Sequence, residues 1–375
     1  MQPLALSFRA LADQITEYHL EPTRGMDPVL DLFISFIERW EVVHLDLLGR
    51  SSGSISNIHQ LRAPLLKHLH VHLYCHPTAR VTGRLLSLIS NSPRLIDLVW
   101  TVCEDFANNG FGFHIAEPTI PLPQLARIKT NLFGMAGCLT ILTLCPNLVD
   151  CTFDSVYYDF PPVPIAADGT IVHQHLPTLT ITFSYTTTYM LLDYITLPAL
   201  SSLTFKCHKE YERCGWSQDM FMAFLSRSGC TLTTFRVKTI VIPSEQLIRL
   251  LGNLPTLTEL SIEGASADPL RDMLITSLTY NETEDSEKCL CPELQAITLA
   301  GDIETSNGTL VKMLESRCRS NLSHPRIARL QRFTVVLSEE FGFVWGDYLD
   351  EVETMQDRGL DVVIVGSEYC KRCWL

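Results

Sequence analysis

The chain has 375 residues, 46% of them apolar and 19% charged, with a mean hydropathy of +0.13. Such a composition buries a large core and excludes a disordered chain. A formal charge of −13 and a pI near 5.4 exclude sequence-independent nucleic-acid binding, which needs Lys and Arg clustered against phosphates. No uncharged apolar run reaches the roughly 18 residues of a membrane span. Neither a nucleic acid nor a membrane is therefore expected as partner. Thirteen scattered cysteines, with no basic stretch and apolar run after Met1, predict reduced, mostly buried thiols in a cytoplasmic or nuclear protein.

In chain order, residues 1–40 read as an N-terminal cap, a strand followed by a helix whose apolar period runs over Pro28–Arg39. From there one pattern returns almost to the end: Pro-x-Leu-x-x-φ-x-φ, with φ apolar. Trp40 to Leu47 fits as an early copy. Copies follow at Pro64 (Leu66, Leu69, Val71), Pro93 (Leu95, Leu98, Trp100), Pro123 (Leu125, Ile128) and Pro146 (Leu148, Cys151, Phe153). Pro177 keeps Leu179 but loses one residue before Ile181 and Phe183. Further copies begin at Pro198, Cys230, Pro255, Pro292 and Ala328, with steps varying from 21 to 37 residues. Proline ends the helix before it and admits a short strand, and φ-x-φ turns two apolar side chains to one face. Helical periods lie between, at Val81–Ser90, Ser217–Ser226 and Ser244–Leu251, the last starting after Pro243. The repetition predicts α/β architecture, an irregular leucine-rich-repeat solenoid over 1–375 with a curved parallel sheet on one face and helices on the other. Residues 338–375 read as its C-terminal cap.

An ordinary doubly wound α/β enzyme would also alternate strands and helices, but its strands are apolar on both faces. Here the alternate positions are polar in almost every copy: His44/Asp46, His68/His70, Asp97/Val99, Arg127/Lys129, Asp150/Thr152, Thr180/Thr182, Ser202/Thr204, Thr234/Arg236, Glu259/Ser261, Ala296/Thr298 and Arg332/Thr334. One face is therefore expected to meet water along the chain.

Motifs of catalysis or metal binding are few. Gly49-Arg-Ser51-Ser-Gly53 matches a nucleophile elbow, which needs a strand before and a helix after; Ser54–Gln60 shows no helical period, so a chance match is expected. His68, His70 and His72 share one strand face, with His44 and Asp97 expected to flank His68 on the neighbouring strands. Positions i and i+2 stand about 6.6–7 Å apart, which suits one metal ion poorly. A solvated or pH-responsive contact patch is the favoured reading. Cys370-Lys-Arg-Cys373 lacks a firm second ligand pair, Cys289 and Cys291 being a distant one. Asn281–Glu287 is an acidic run, and residues 103–123 and 155–176 are long insertions.

The half from Cys230 to Val363 carries further cues: Gly229-Cys-Thr-Leu-Thr-Thr-Phe, Pro243-Ser-Glu-Gln-Leu-Ile-Arg-Leu-Leu, Leu254-Pro-Thr-Leu-Thr-Glu-Leu, Cys291-Pro-Glu-Leu-Gln-Ala-Ile-Thr-Leu, Leu314-Glu-Ser-Arg-Cys and Asp357-Arg-Gly-Leu-Asp-Val. These resemble the repeat region of mushroom-type fungal F-box proteins, and Pro3-Leu-Ala-Leu-Ser-Phe resembles the strand that follows the F-box there. The resemblance implies a substrate receptor of a cullin ubiquitin ligase, whose F-box docks a Skp1-type adaptor. The sequence begins about where that F-box would have ended, so such an adaptor is expected as partner only if an F-box is restored.

The reading is a non-enzymatic protein-binding module without cofactor or metal, taking an unknown protein ligand on the exposed sheet face. Its contact residues are expected to be His44, Asp46, His68, His70, His72, Asp97, Arg127, Lys129, Arg236, Lys238, Glu259 and Glu263. The alternatives are a hydrolase-like α/β enzyme and a degenerate paralogue without a partner.

Overall fold

The computed structural model describes residues 28–47, 52–56, 58, 62–73, 79–102, 122–131, 134–156, 170–183, 186–207, 216–263, 270–281, 289–300, 303–304, 308–318, 327–336 and 354–365. They fall into two compact units, the first ending at Pro177 and regaining Tyr194–Leu197, the second holding Thr178–Asp193 and everything after Pro198.

In the first unit α1 (Pro28–Ile34) and a 3-10 turn (Ile37–Arg39) lead into β1 (Val42–Leu47). There follow α2 (Ser52–Ser56), β2 (His68–Leu73), α3 (Ala79–Ser90), β3 (Asp97–Val102), β4 (Arg127–Asn131), α4 (Met135–Leu144), β5 (Asp150–Val156) and the two-residue β6 (Ile171–Val172). The second unit opens with β7 (Thr178–Phe183), while β8 (Ile195–Thr196) returns to the first to pair with β6. Then come β9 (Ser202–Cys207), α5 (Gln218–Ser228), β10 (Thr234–Lys238), α6 (Ser244–Leu251), β11 (Glu259–Glu263), β12 (Leu270–Arg271) and α7 (Asp272–Leu278). The unit closes with β13 (Ala296–Ala300), β14 (Ile303–Glu304), α8 (Thr309–Cys318), β15 (Arg332–Val336) and β16 (Asp361–Val365). The long strands lie in chain order and pair in parallel, β1 to β5 in the first unit and β7, β9, β10, β11, β13, β15 and β16 in the second. The α/β class with parallel strands is as the periodicity predicts.

The entry to each strand shows what the repeated proline does. The N–H of Leu66 donates to Ala63 O (3.2 Å), and Leu95, Leu125, Leu148, Leu257 and Leu294 make the same bond three residues back. Pro64, Pro93, Pro123, Pro146, Pro255 and Pro292 thus hold the second position of a hydrogen-bonded β-turn, where a fixed φ is an advantage and the missing N–H costs nothing. One carbonyl of the preceding copy then accepts two N–H groups: Glu41 O takes those of Lys67 and His68, Lys67 O those of Ile96 and Asp97, and Thr258 O those of Gln295 and Ala296. That doubled bond fixes the register of each strand on the last.

The turn leucine and the two apolar strand residues form the core. Leu66, Leu95, Leu125, Leu148, Leu257, Leu294 and Leu330 are wholly buried. At about 1.5–3 kcal/mol per fully buried aliphatic side chain, three per copy offset much of the ordering entropy of a short strand and turn. In the second unit some inward positions are aromatic: Phe205 meets Phe183 at 5.5 Å, Phe235 at 6.3 Å and Phe221 of α5 at 5.9 Å. These contacts set α5 against the apolar strand face. Asn131 extends the β3–β4 ladder with its side chain, its amide oxygen and nitrogen each bonding the backbone of Val102 at 2.7 Å.

Several expectations need correction. Trp40 takes the place of the turn leucine; it is buried, stacks on Phe33 at 4.6 Å and donates its indole N–H to Phe33 O. The strand therefore begins two residues from where the alignment put it. His44 pairs with His70, and Val42, not His44, flanks His68. An even shift leaves the outward face unchanged. Likewise Leu176, buried and three residues before Leu179, is the turn leucine of the Pro177 copy, so no residue is lost there and Thr180 pairs with Thr204. A twelfth long strand, β16, escaped the pattern because Gly359, at φ +83°, stands where other copies have leucine. The Ser54 region is helical, contrary to the missing period, because α2 drives Ile55 into the core. Ser51 of that motif lies outside the described residues, as do Cys370–Cys373, residues 282–287 of the acidic run and most of both long insertions. Cys207 is disulfide-bonded, against the expectation of reduced thiols. Pairing depends on spatial approach, which scattered spacings do not reveal. Cys138, Cys145, Cys151, Cys230, Cys289, Cys291 and Cys318 are not in disulfides. No described helix is long and apolar enough to cross a membrane.

One polar group penetrates the second unit. Arg317 on α8 is wholly buried and donates to Leu278 O (2.6 Å), Leu290 O (2.6 Å), Cys291 O (3.1 Å) and Cys289 Sγ (3.5 Å). Its planar fork saturates carbonyls that no ladder reaches, tying α7 to the entry of β13.

Candidate functional site

In every long strand from β1 to β15 the turn sets an apolar residue inward at the second strand position, so the alternate residues face outward. All twelve expected contact residues lie at such outward positions and none is buried. They form two groups, one in each unit.

In the first unit parallel pairing builds three rows. Val42, His68, Asp97, Arg127 and Asp150 make one; His44, His70, Val99, Lys129 and Thr152 the next; Asp46, His72 and Thr101 the third. Asp97 Oδ2 is shared, standing 3.4 Å from His68 Nδ1 and 3.2 Å from Arg127 Nε. His72 Nδ1 meets Thr101 Oγ1 at 2.6 Å, and His44 Nδ1 meets His70 Nδ1 at 3.2 Å with ring centroids 5.2 Å apart. Burial pushes His70 below its ordinary pKa, and His44, His72 and Lys129 push the same way against Asp46. Burial pushes the Asp150 carboxyl up, with Arg127 pulling it down and Asp97 adding to the rise. The cluster joins imidazoles, carboxylates and a guanidinium through short contacts.

In the second unit the expected contact residues form ion pairs. Arg236 Nη2 stands 2.6 Å from Glu259 Oε1, and Lys238 Nζ 2.6 Å from Glu263 Oε2. Further along, Arg332 Nε meets Asp361 Oδ2 at 2.8 Å, which holds the guanidinium above its usual pKa. Beside these pairs the outward positions carry hydroxyls: Thr180, Thr204, Thr298 and Thr334 lie in one row with Arg236 and the buried Ser261. Sequence reasoning missed Lys206. It is exposed on β9 and lies opposite Lys238 in register. The signal was there, because Ser202, Thr204 and Lys206 are three successive alternate positions. Asp361 was missed with its strand.

Neither a family model nor a curated protein matches the chain. Among solved structures the chain aligns with a crystal structure of a Bacteroides fragilis protein, a structural-genomics target, at 12% identity and a TM-score of 0.41. The alignment covers 84% of this chain and 68% of that one. Likeness at that level carries no argument about function.

Proposed function

We propose that the protein is a protein–protein interaction module, each unit a stretch of irregular leucine-rich-repeat solenoid that offers its polar strand face to a partner. One observation carries the reading: strand after strand, the inward positions are buried and the outward positions present rows of charge, imidazole and hydroxyl. Stability does not require such rows, since exposed ion pairs contribute only about 0–1 kcal/mol each. Opposed charges arrayed at a fixed spacing do serve to orient a partner and reject wrong ones. The finer reading is the substrate-recognition part of an F-box-type ubiquitin ligase receptor, which rests on the resemblance of Cys230–Val363 to fungal F-box proteins.

The test is proximity labelling in cells with the natural chain, a variant carrying Arg236→Glu and Lys238→Glu, and a variant carrying His68→Ala and Arg127→Ala. A specific labelled protein lost from at least one face variant, with the melting temperature kept, is the expected result. A labelled set indifferent to both variants overturns the docking face. Appending an F-box should then lower the abundance of that labelled protein, and an unchanged level overturns the ligase reading alone.

A further inference from the structure

We propose that the outward face of β7, β9 and β10 is a docking strip for an extended acidic peptide with carboxylates at alternate positions. The proposal rests on the docking reading above and names the chemistry of the partner for the second unit. Along these strands the outward positions hold Lys206, Arg236 and Lys238 and otherwise only threonine and serine. No carboxylate stands among them. On a chain of formal charge −13 this is a local reversal of sign, and ammonium, guanidinium and hydroxyl groups all donate to anionic oxygens.

The neighbouring acids lie to one side. Glu259 and Glu263 on β11 meet Arg236 and Lys238 at 2.6 Å each, yet both cations stay half-exposed. Exposed pairs of this kind are weak, so a second carboxylate can share each cation at little cost. Among the described residues no carboxylate forms an ion pair with Lys206, which lies directly opposite Lys238 in register. Like charges opposed across a strand pair destabilise it, so the fold gains nothing from this placement, whereas an anion held between the two ammonium groups removes the repulsion. The spacings suit a peptide. Adjacent strands stand about 4.8 Å apart, which lets Lys206 and Lys238 straddle one carboxylate. Arg236 and Lys238 are two positions apart on β10, about 6.6–7 Å, the same interval that separates alternate side chains of an extended peptide. A peptide lying along β10 therefore brings one carboxylate to Arg236 and the next to the lysine pair, with Thr204, opposite Arg236, adding a neutral donor.

The test is fluorescence anisotropy of a short labelled peptide alternating Glu and Thr, beside the same peptide with Gln in place of Glu. The full chain is compared with Lys206→Glu, Lys206→Gln and, as a basic position away from the strip, Arg94→Gln. The expected result is binding of the Glu peptide that falls with salt and weakens at least about tenfold in Lys206→Glu, and less in Lys206→Gln. Arg94→Gln should bind as the natural chain does. Lys206→Glu should also keep or raise the melting temperature, because it replaces a repulsion between β9 and β10 by an attraction. Weaker binding by a chain that folds at least as well separates a docking role from a structural one. Equal affinity for the Glu and Gln peptides, undiminished affinity in Lys206→Glu, or equally tight binding of a single-stranded oligonucleotide overturns the proposal. If the partner found by proximity labelling depends on Arg236 and Lys238 while the Glu peptide does not bind, the docking face stands and its acidic partner falls.

Discussion

The outward positions of β1 to β3 carry the imidazoles of His44, His68, His70 and His72 beside Asp46 and Asp97, whereas those of β9 to β16 carry Lys206, Arg236, Lys238 and Arg332 together with Glu259, Glu263 and Asp361. Both units use the same turn, the same inward leucine and the same strand phase. What differs along the strands lies at positions the core does not constrain. A scaffold that fixes every second side chain leaves the others free to acquire different chemical characters, one rich in imidazole and one in ion pairs. The same division extends inward: buried polar side chains of the first unit, such as Asn131 and His173, carry no fixed charge, while the second unit buries the Arg317 guanidinium.

The largest effect should come from that buried cation. Arg317→Met removes the Arg317 donors of the Leu278 and Leu290 carbonyls, each costing about 1–3 kcal/mol when left without one, and leaves Cys291 O with the N–H of Leu294 alone, so chemical denaturation should show a loss of about 2 kcal/mol or more. A loss below about 1 kcal/mol would mean the fork is dispensable and the two units are alike inside.

Acidification should separate the units next. His70 titrates below its ordinary value of 6.5, so between the two values the unfolded chain binds more protons than the folded one. Stability contributed by neutral His70 is full above that window and falls as the pH drops through it, with the loss complete below the folded pKa. His70→Gln should flatten this part of the stability profile, and Arg236→Gln should not. Identical profiles for the natural chain and His70→Gln would remove the pH-dependent character assigned to the first unit.

The smallest effect belongs to the exposed pairs. Removing Arg236 and Lys238 charges together, by Arg236→Gln and Lys238→Gln, should cost about 0.2–1 kcal/mol per pair and less at high salt. A larger loss would show that these pairs hold the strands and do not merely decorate them.

The phase was legible because the repeat writes it eleven times; of the expected helices Ser244–Leu251 has the bounds read from its period, while Val81–Ser90 begins at Ala79, Ser217–Ser226 runs over Gln218–Ser228, and Pro28–Arg39 gives way to a 3-10 turn after Ile34. Misreadings came where one residue type substitutes for another in the same geometric role. Trp40 fills a leucine position, Leu176 hides beside Pro177, and Gly359 breaks the last copy with a left-handed backbone. The helix α2 is too short to show a period and is held by tertiary burial of Ile55, as short helices generally are. The contact residues were readable as outward positions, but not their partners. That Asp97 serves both His68 and Arg127, or that His44 meets His70 and not His68, depends on register and side-chain direction. Arg317 gave no sign at all, since its partners are backbone carbonyls of residues 26 to 39 positions away.

The account stands or falls on the assignment of faces, and adjacent residues of β9 test it in one experiment. Denaturant unfolding of Thr204→Glu and Leu203→Glu compares an outward hydroxyl beside Arg236 with a wholly buried leucine. The expected outcome is a change within about 0.5 kcal/mol for Thr204→Glu and a loss above about 4 kcal/mol, or failure to fold, for Leu203→Glu. Equal losses in the two variants would contradict the strand phase and, with it, the docking face.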